Sequence, residues 1–261
     1  MRSIWKGAVS FGLVHIPVRL YSAIKGRELK FKLLHKKDHS EIRYARICKR
    51  DGKEIPWEEI AKGYEYQPGD YVILTDEDFE KADLKKSRTI EIIDFTKEDQ
   101  IDAVYYDTLY YLEPEKGAAA AYSLLYEALK QSKKVAVGHF VLRRHEHLGV
   151  IRAHEGVLIL HQLRYESEIL DTTKLNIPKK SAQKNELDIA LKLIDEMTKP
   201  FKPSDYSDTY TDQVKEIIKK KAKGQRVSVG EKPKTSSTKG KNILALLESS
   251  LKKGKTKRRA A

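Results

Sequence analysis

Two sets of side chains in this sequence are of types that do chemistry. The first is cationic: between Lys25 and Arg50, ten Lys and Arg face only Glu28, Asp38 and Glu41. Lys30 and Lys32 alternate with Phe31 and Leu33, and Arg43 points opposite to Ile42 and Tyr44. That two-residue period reads as two strands with charge on one face and apolar anchors on the other. Such a face suits phosphate contact, and it equally suits a solvated hairpin edge whose lysines block aggregation. The second set is His139, His145, His147, His154 and His161. His145 and His147 share a strand face, which raises metal binding or phosphodiester hydrolysis. HEH lacks the HExxH helix spacing that puts two ligands on one side, and no nearby Asp or Cys set completes a site, so no metal and no catalytic residue is expected. GxxxxGK[ST], GxGxxG after a strand and GxSxG are all missing from the sequence, which removes the usual nucleotide and nucleophile arrangements. The acidic run TDEDFE reads as a helix N-terminus, where carboxylates are favoured.

The net charge of +13 is unevenly spread. From Lys219 onward there are 15 Lys and Arg against Glu231 and Glu248, so the preceding 218 residues balance at 36 basic and 36 acidic. Within that neutral body, residues 1–50 hold 13 basic and three acidic groups, and residues 51–115 hold seven and 19. A dipolar body of this kind fits a protein that faces a polyanion on one side only. A single cysteine, Cys48, excludes an internal disulfide framework and a multi-Cys zinc site, and fits a reducing compartment. No run approaches the roughly 18 apolar residues of a membrane span, so a cytoplasmic protein without membrane contact is expected. No internal repeat is evident.

The elements that must position these groups read as a mixed, mainly β chain. Residues 3–22 place Ile16, Val18 and Leu20 on one face, with Gly7, Gly12 and Pro17 implying bends as a strand wraps a barrel. After the basic stretch, Asp51-Gly52 and QPGD mark turns, and Thr75 with Asp78 makes a capping box for a short helix through Ala82. Strands are expected at 88–95, 103–112, 135–143, 148–153 and 156–165, interrupted by a helix over 115–131. Two amphipathic helices follow near 183–198 and 208–223, parted by Pro200 and Pro203; Leu187, Leu191, Ile194 and Met197 stripe the first. The expected organisation is a β-barrel core over 1–171 with an arm at about 25–72, a helical C-terminal arm over 172–223, and a flexible Lys-rich tail over 224–261. Within that tail, 242–251 has the apolar spacing of a short helix that needs a partner, or its own core, to fold against.

Collinear blocks across residues 1–223 resemble bacterial Ku: IWKGAVSFGLVHIPVRLYSA, FKLLHKKD, IRYARICKRDGKEIPWEEIAKGYEY, YVILTDEDF, FVLRRHEHLGVIRAHEGVLILHQLRY and DEMTKPFKPSDYSDTYTDQVKEIIKKKAKG. The resemblance implies a homodimer in which two barrels and two bridge arms form a ring that threads onto a double-stranded DNA end. It also implies recruitment of an ATP-dependent DNA ligase in non-homologous end joining, with no cofactor and no catalytic residue. The von Willebrand A-type domain of eukaryotic Ku is expected to be missing, as is the cysteine zinc site of some relatives, since Cys48 stands alone. The bridge then offers Lys30, Lys32, Lys36, Lys37, Arg43, Arg46, Lys49 and Arg50 to DNA. From the barrel come Arg143 and Arg144, comparable to a basic loop of eukaryotic Ku that faces the duplex. Lys252, Lys253, Lys255, Lys257, Arg258 and Arg259 would add loose contacts from the tail, and the Leu187–Met197 stripe would serve dimerisation. Two other readings stay open from the residues alone: a nucleic-acid packaging protein that binds through its tail, and a His-dependent metallohydrolase.

Overall fold

The computed structural model describes residues 1–26, 28–82, 88–177 and 183–225. The described residues divide into two compact units, one ending at Thr172 and the other beginning at Thr173. The tail cations expected at 252–259 and the segment 242–251 lie outside the described residues.

In the first unit, residues 3–22, expected as a strand bending around a barrel, turn back at Gly12 (φ 56°) and form β1 (Trp5–Phe11) and β2 (Val14–Ser22), paired antiparallel from Trp5↔Leu20 to Phe11↔Val14. The chain returns to this sheet with β5 (Thr89–Lys97) and β6 (Tyr106–Pro114), then β7 (Lys134–Leu142), β8 (His145–His154) and β9 (Val157–Leu163). Seven strands close a barrel in the order β1-β2-β6-β9-β8-β7-β5. Closure is made by a parallel pairing of β1 with β5, Ala8↔Thr89 to Ser10↔Glu91. Glycines allow β5 to be squeezed into that seam: a methyl group at Gly7 would sit 2.1 Å from the Arg88 carbonyl, and one at Gly138 2.2 Å from that of Glu91.

Alternation along the strands fills the core. Ile16, Val18 and Leu20 share the buried face that the sequence pattern assigns them, with Ile90, Leu112, Phe140, Ile151, Leu158 and Leu160. Helix α2 (Ala119–Ser132) contributes Tyr122, Leu125 and Leu129 to the same core. It starts four residues later than the apolar spacing predicts, because Gly117 takes a left-handed φ of 86°. The Tyr122 hydroxyl donates to the Leu112 carbonyl and accepts from the Leu158 N–H, both at 2.7 Å, tying the helix across the end of the β6–β9 ladder. Val135, Val150 and Leu163 point the other way and pack under the single turns at 98–105.

Ala23 still donates its N–H to the Leu109 carbonyl and the Arg88 carbonyl accepts from the Ala8 N–H; between them no described residue pairs into the barrel sheet. This excursion is longer than the 25–72 expected, because β3 (Lys62–Gln67) and β4 (Asp70–Leu74) pair only with each other, and helix α1 (Asp76–Ala82) precedes the return. Thr75 and Asp78 cap α1 reciprocally, Thr75 N–H to Asp78 Oδ2 at 3.0 Å and Asp78 N–H to Thr75 Oγ1 at 3.3 Å.

The second unit carries α3 (Lys184–Met197) and α4 (Thr209–Ala222), within a residue or two of the amphipathic spans. Asp208 caps α4 by accepting from the Thr211 N–H at 3.0 Å, and Lys219, Lys220 and Lys221 sit where the helix dipole favours cations. No side chain of either helix is buried.

Candidate nucleic-acid interface

The basic stretch is not the two-stranded hairpin that its alternation suggests. Between residues 28 and 56 the chain is extended, with only isolated bridges at Leu34↔Glu41 and Ile47↔Glu54. Each bridge closes a tight turn, and the two turns are built alike. In the first, His35 N–H donates to the Ser40 carbonyl and His39 N–H to that of His35, both at 2.8 Å. In the second, Cys48 N–H donates to the Lys53 carbonyl at 2.8 Å and Gly52 N–H to that of Cys48 at 2.9 Å. Asp38 Oδ1 accepts from the Ser40 N–H at 3.1 Å, as Asp51 Oδ1 does from the Lys53 N–H at 3.2 Å. The left-handed position is His39 (φ 58°) in one and Gly52 (φ 72°) in the other. LHKKDHSE and ICKRDGKE are thus a short repeat, thirteen residues apart, which corrects the reading that the sequence holds none. Its signal was present in sequence as Lys-Lys/Arg-Asp framed by Leu/Ile and Glu; two copies of eight residues fall below the usual length of a structural repeat.

Each turn lifts two cations at its tip, Lys36-Lys37 and Lys49-Arg50. These four, with Lys30 and Arg143, are exposed and have no hydrogen bond or ion pair among the described residues. The other expected contacts are engaged within the chain. Lys32 pairs with Glu41, Arg43 lies 4.0 Å from Glu54, and the Arg46 guanidinium covers the Trp57 ring at 4.6 Å. Arg144 donates to Asp76 at 3.3 Å. Arg143 and Arg144 form the β7–β8 turn, both left-handed, with φ of 54° and 67°. Side chains with a Cβ rarely adopt this conformation; two adjacent arginines in it cost about 1–3 kcal/mol each. Asp38 is held below the usual aspartate range first by the Ser40 N–H, then by the Ser40 hydroxyl and His35. Its turn therefore keeps its carboxylate charged near neutral pH.

His145 and His147 lie together, their ring centroids 6.5 Å apart, and His139, His154 and His161 have separate partners. His139 Nδ1 lies 3.0 Å from Glu146 Oε1, and His147 Nε2 donates to the Leu142 carbonyl at 3.3 Å. His161 accepts from Arg152 Nε at 3.3 Å and packs edge-on against Tyr106. Burial, then the charges of Arg152 and His154, push its pKa down to about 4. Among the described residues no group of three His, Cys, Asp or Glu is placed to hold a metal ion. No described helix is long and apolar enough to cross a membrane.

The family model described as the Ku70/Ku80 beta-barrel domain matches residues 10–189. The chain belongs to the Ku family. Curated relatives named "Non-homologous end joining protein Ku" match over nearly its whole length. That of Opitutus terrae is 40% identical over 254 residues, covering 96% of this chain and 91% of the relative. That of Archaeoglobus fulgidus is 40% identical, with 88% and 92% covered. That of Bacillus subtilis is 34% identical, with 88% and 75% covered. The match runs from the end of β1 through the other six barrel strands, the whole excursion and the start of α3, so the twin turns lie inside the family domain.

Proposed function

We propose that this Ku-family chain binds double-stranded DNA ends without regard to sequence. It does so as a homodimeric ring, and it brings an ATP-dependent DNA ligase to the break for non-homologous end joining. It acts in the cytoplasm on the nucleoid and has no catalytic step of its own. The observation that carries this reading is the set of cations at the tips of twin turns, unpaired among the described residues, within a domain shared with end-joining proteins. Flexible lysines on turns reach phosphates and carry no base code, which is what an end of any sequence demands. Affinity then falls steeply with salt.

The ring requires a second copy, and the uncovered apolar surface supports one. Leu187, Leu191, Ile194 and Met197 of α3 are all exposed, as are Phe31, Tyr44 and Trp57 of the excursion. A two-stranded sheet such as β3–β4 is marginal without cover. The tail cations Lys252, Lys253, Lys255, Lys257, Arg258 and Arg259 raise the rate of capture by long-range attraction. A ring loads only at a free end, so the deciding experiment is competition by covalently closed circular DNA against linear DNA of equal mass, with light scattering on the same sample. Linear DNA should compete far better, and the protein should scatter as two copies. Equal competition, or a monomer that binds ends, sinks the ring.

A further inference from the structure

Among the described residues, the hydrogen bonds and ion pairs of the side chains of residues 24–79 stay within that excursion, with one exception. Arg144, at the tip of the β7–β8 turn, donates to Asp76 Oδ1 at 3.3 Å. The same oxygen receives Lys62 Nζ at 3.5 Å. Two cations from distant parts of the chain thus converge on one carboxylate oxygen. Lys62 also lies over the Phe79 ring at 5.0 Å, and Arg144 projects from the left-handed β7–β8 turn. All three groups are largely exposed, with 62% of the Lys62 side chain, 75% of Asp76 and 65% of Arg144 open to solvent.

Two cations around one anionic oxygen are the arrangement a non-bridging phosphate oxygen prefers. We infer that Lys62 and Arg144 form a phosphate site for the DNA backbone, and that Asp76 occupies it as a stand-in until DNA arrives. Lys62 is then a DNA contact that the run of basic residues at 25–50 does not reveal. The inference rests on the DNA-binding reading above. Exposed ion pairs of this kind stabilise by little, so a phosphate exchanges with the carboxylate readily. The exchange still weakens DNA binding, because the pair must be broken first and Asp76 then stays near the duplex as a like charge.

The test is Asp76→Asn, measured as affinity for a short blunt duplex in low and moderate salt. Relief of the self-pairing should tighten binding about two- to fivefold, the worth of an exposed pair. Lys62→Gln should weaken binding in the wild type, and more so in the Asp76→Asn background, where the site starts empty. Weaker or unchanged binding by Asp76→Asn overturns the inference, as does a Lys62→Gln effect that is absent in both backgrounds. If Asp76→Asn disturbs α1, seen as a lowered thermal midpoint, Asp76→Ser keeps a polar residue at the start of the helix and decides in its place. A wild-type protein that fails to bind the duplex at all sinks the functional reading itself, an outcome distinct from either of these.

Discussion

The barrel and the excursion that leaves it after Ser22 are built on opposite principles. In the barrel 21 hydrophobic side chains are buried and no polar or charged one is. Residues 28–74 contain none that is buried. Their shape comes from local means: two Asp-closed turns, a capping box, an arginine on a tryptophan and a lone strand pair. The difference teaches what each is for. A dry core fixes positions and tolerates no loss, whereas an arm without a core keeps cations and apolar side chains available for other molecules. Mutations should therefore separate cleanly, with stability lost in one region and binding in the other.

The largest effect belongs to the barrel. Phe140 is 2% exposed, and Phe140→Ala should cost about 3–5 kcal/mol in urea or thermal unfolding. Phe31→Ala, at a position 70% exposed, should change the unfolding of the monomer by less than about 0.5 kcal/mol. A large loss for Phe31→Ala would show that the excursion has a core of its own after all, and the comparison would break.

The next effect belongs to the arm. Replacing Lys36, Lys37, Lys49 and Arg50 by alanine removes four exposed cations per chain, unpaired among the described residues, and so eight per ring. The slope of log affinity against log salt should shrink by up to roughly 7, and end binding should weaken by roughly a hundredfold or more in moderate salt, with unfolding unchanged. Alanines at the engaged cations Lys32 and Arg43 serve as the control and should shift the slope by less. Equal slopes for the two sets would mean that pairing within the free chain does not predict which cations meet DNA.

These regions also differ in how legible they were. The barrel strands were readable because burial imposes alternation, as at Ile16, Val18 and Leu20, and the C-terminal helices because amphipathic spacing repeats over several turns. The first hairpin reads in sequence as one bending strand, because a glycine signals a bend or a turn alike and only the left-handed φ of Gly12 makes it a turn. In the arm the same alternation misled: Phe31, Leu33, Ile42 and Tyr44 alternate with charge yet remain half or more exposed. Alternation there does not correspond to burial within the described residues, so it does not report strand pairing. Lys62 carries no signal in the sequence because it stands alone among neutral and acidic residues; only the fold brings Arg144 to the same carboxylate.

The smallest effect sharpens the comparison by pH. His161 has its pKa pushed down to about 4 from 6.5, chiefly by burial and then by the charge of Arg152. The folded barrel thus resists a proton that the unfolded chain accepts from about pH 6.5 downward. Between those values the unfolded state binds more protons, so stability is complete above pH 6.5 and declines as the pH falls toward 4. Protonation also ends the acceptance from Arg152 Nε, in a side chain that reaches Glu98 at 3.3 Å. Asp38 acts in the same direction but in a lower window: its folded pKa lies below the usual 3.8, so its stabilising charge is present above 3.8 and is lost only at lower pH. Lowering the pH from 6.5 to 4.5 should therefore reduce the thermal midpoint through the barrel while the turn at 35–40 keeps its amide protection. His161→Gln, which keeps a polar group for Arg152, should flatten the dependence over that window. Were the slope unaltered in His161→Gln, the acid sensitivity would lie elsewhere; were the arm turn to open first, the barrel would not be the more pH-sensitive of the two.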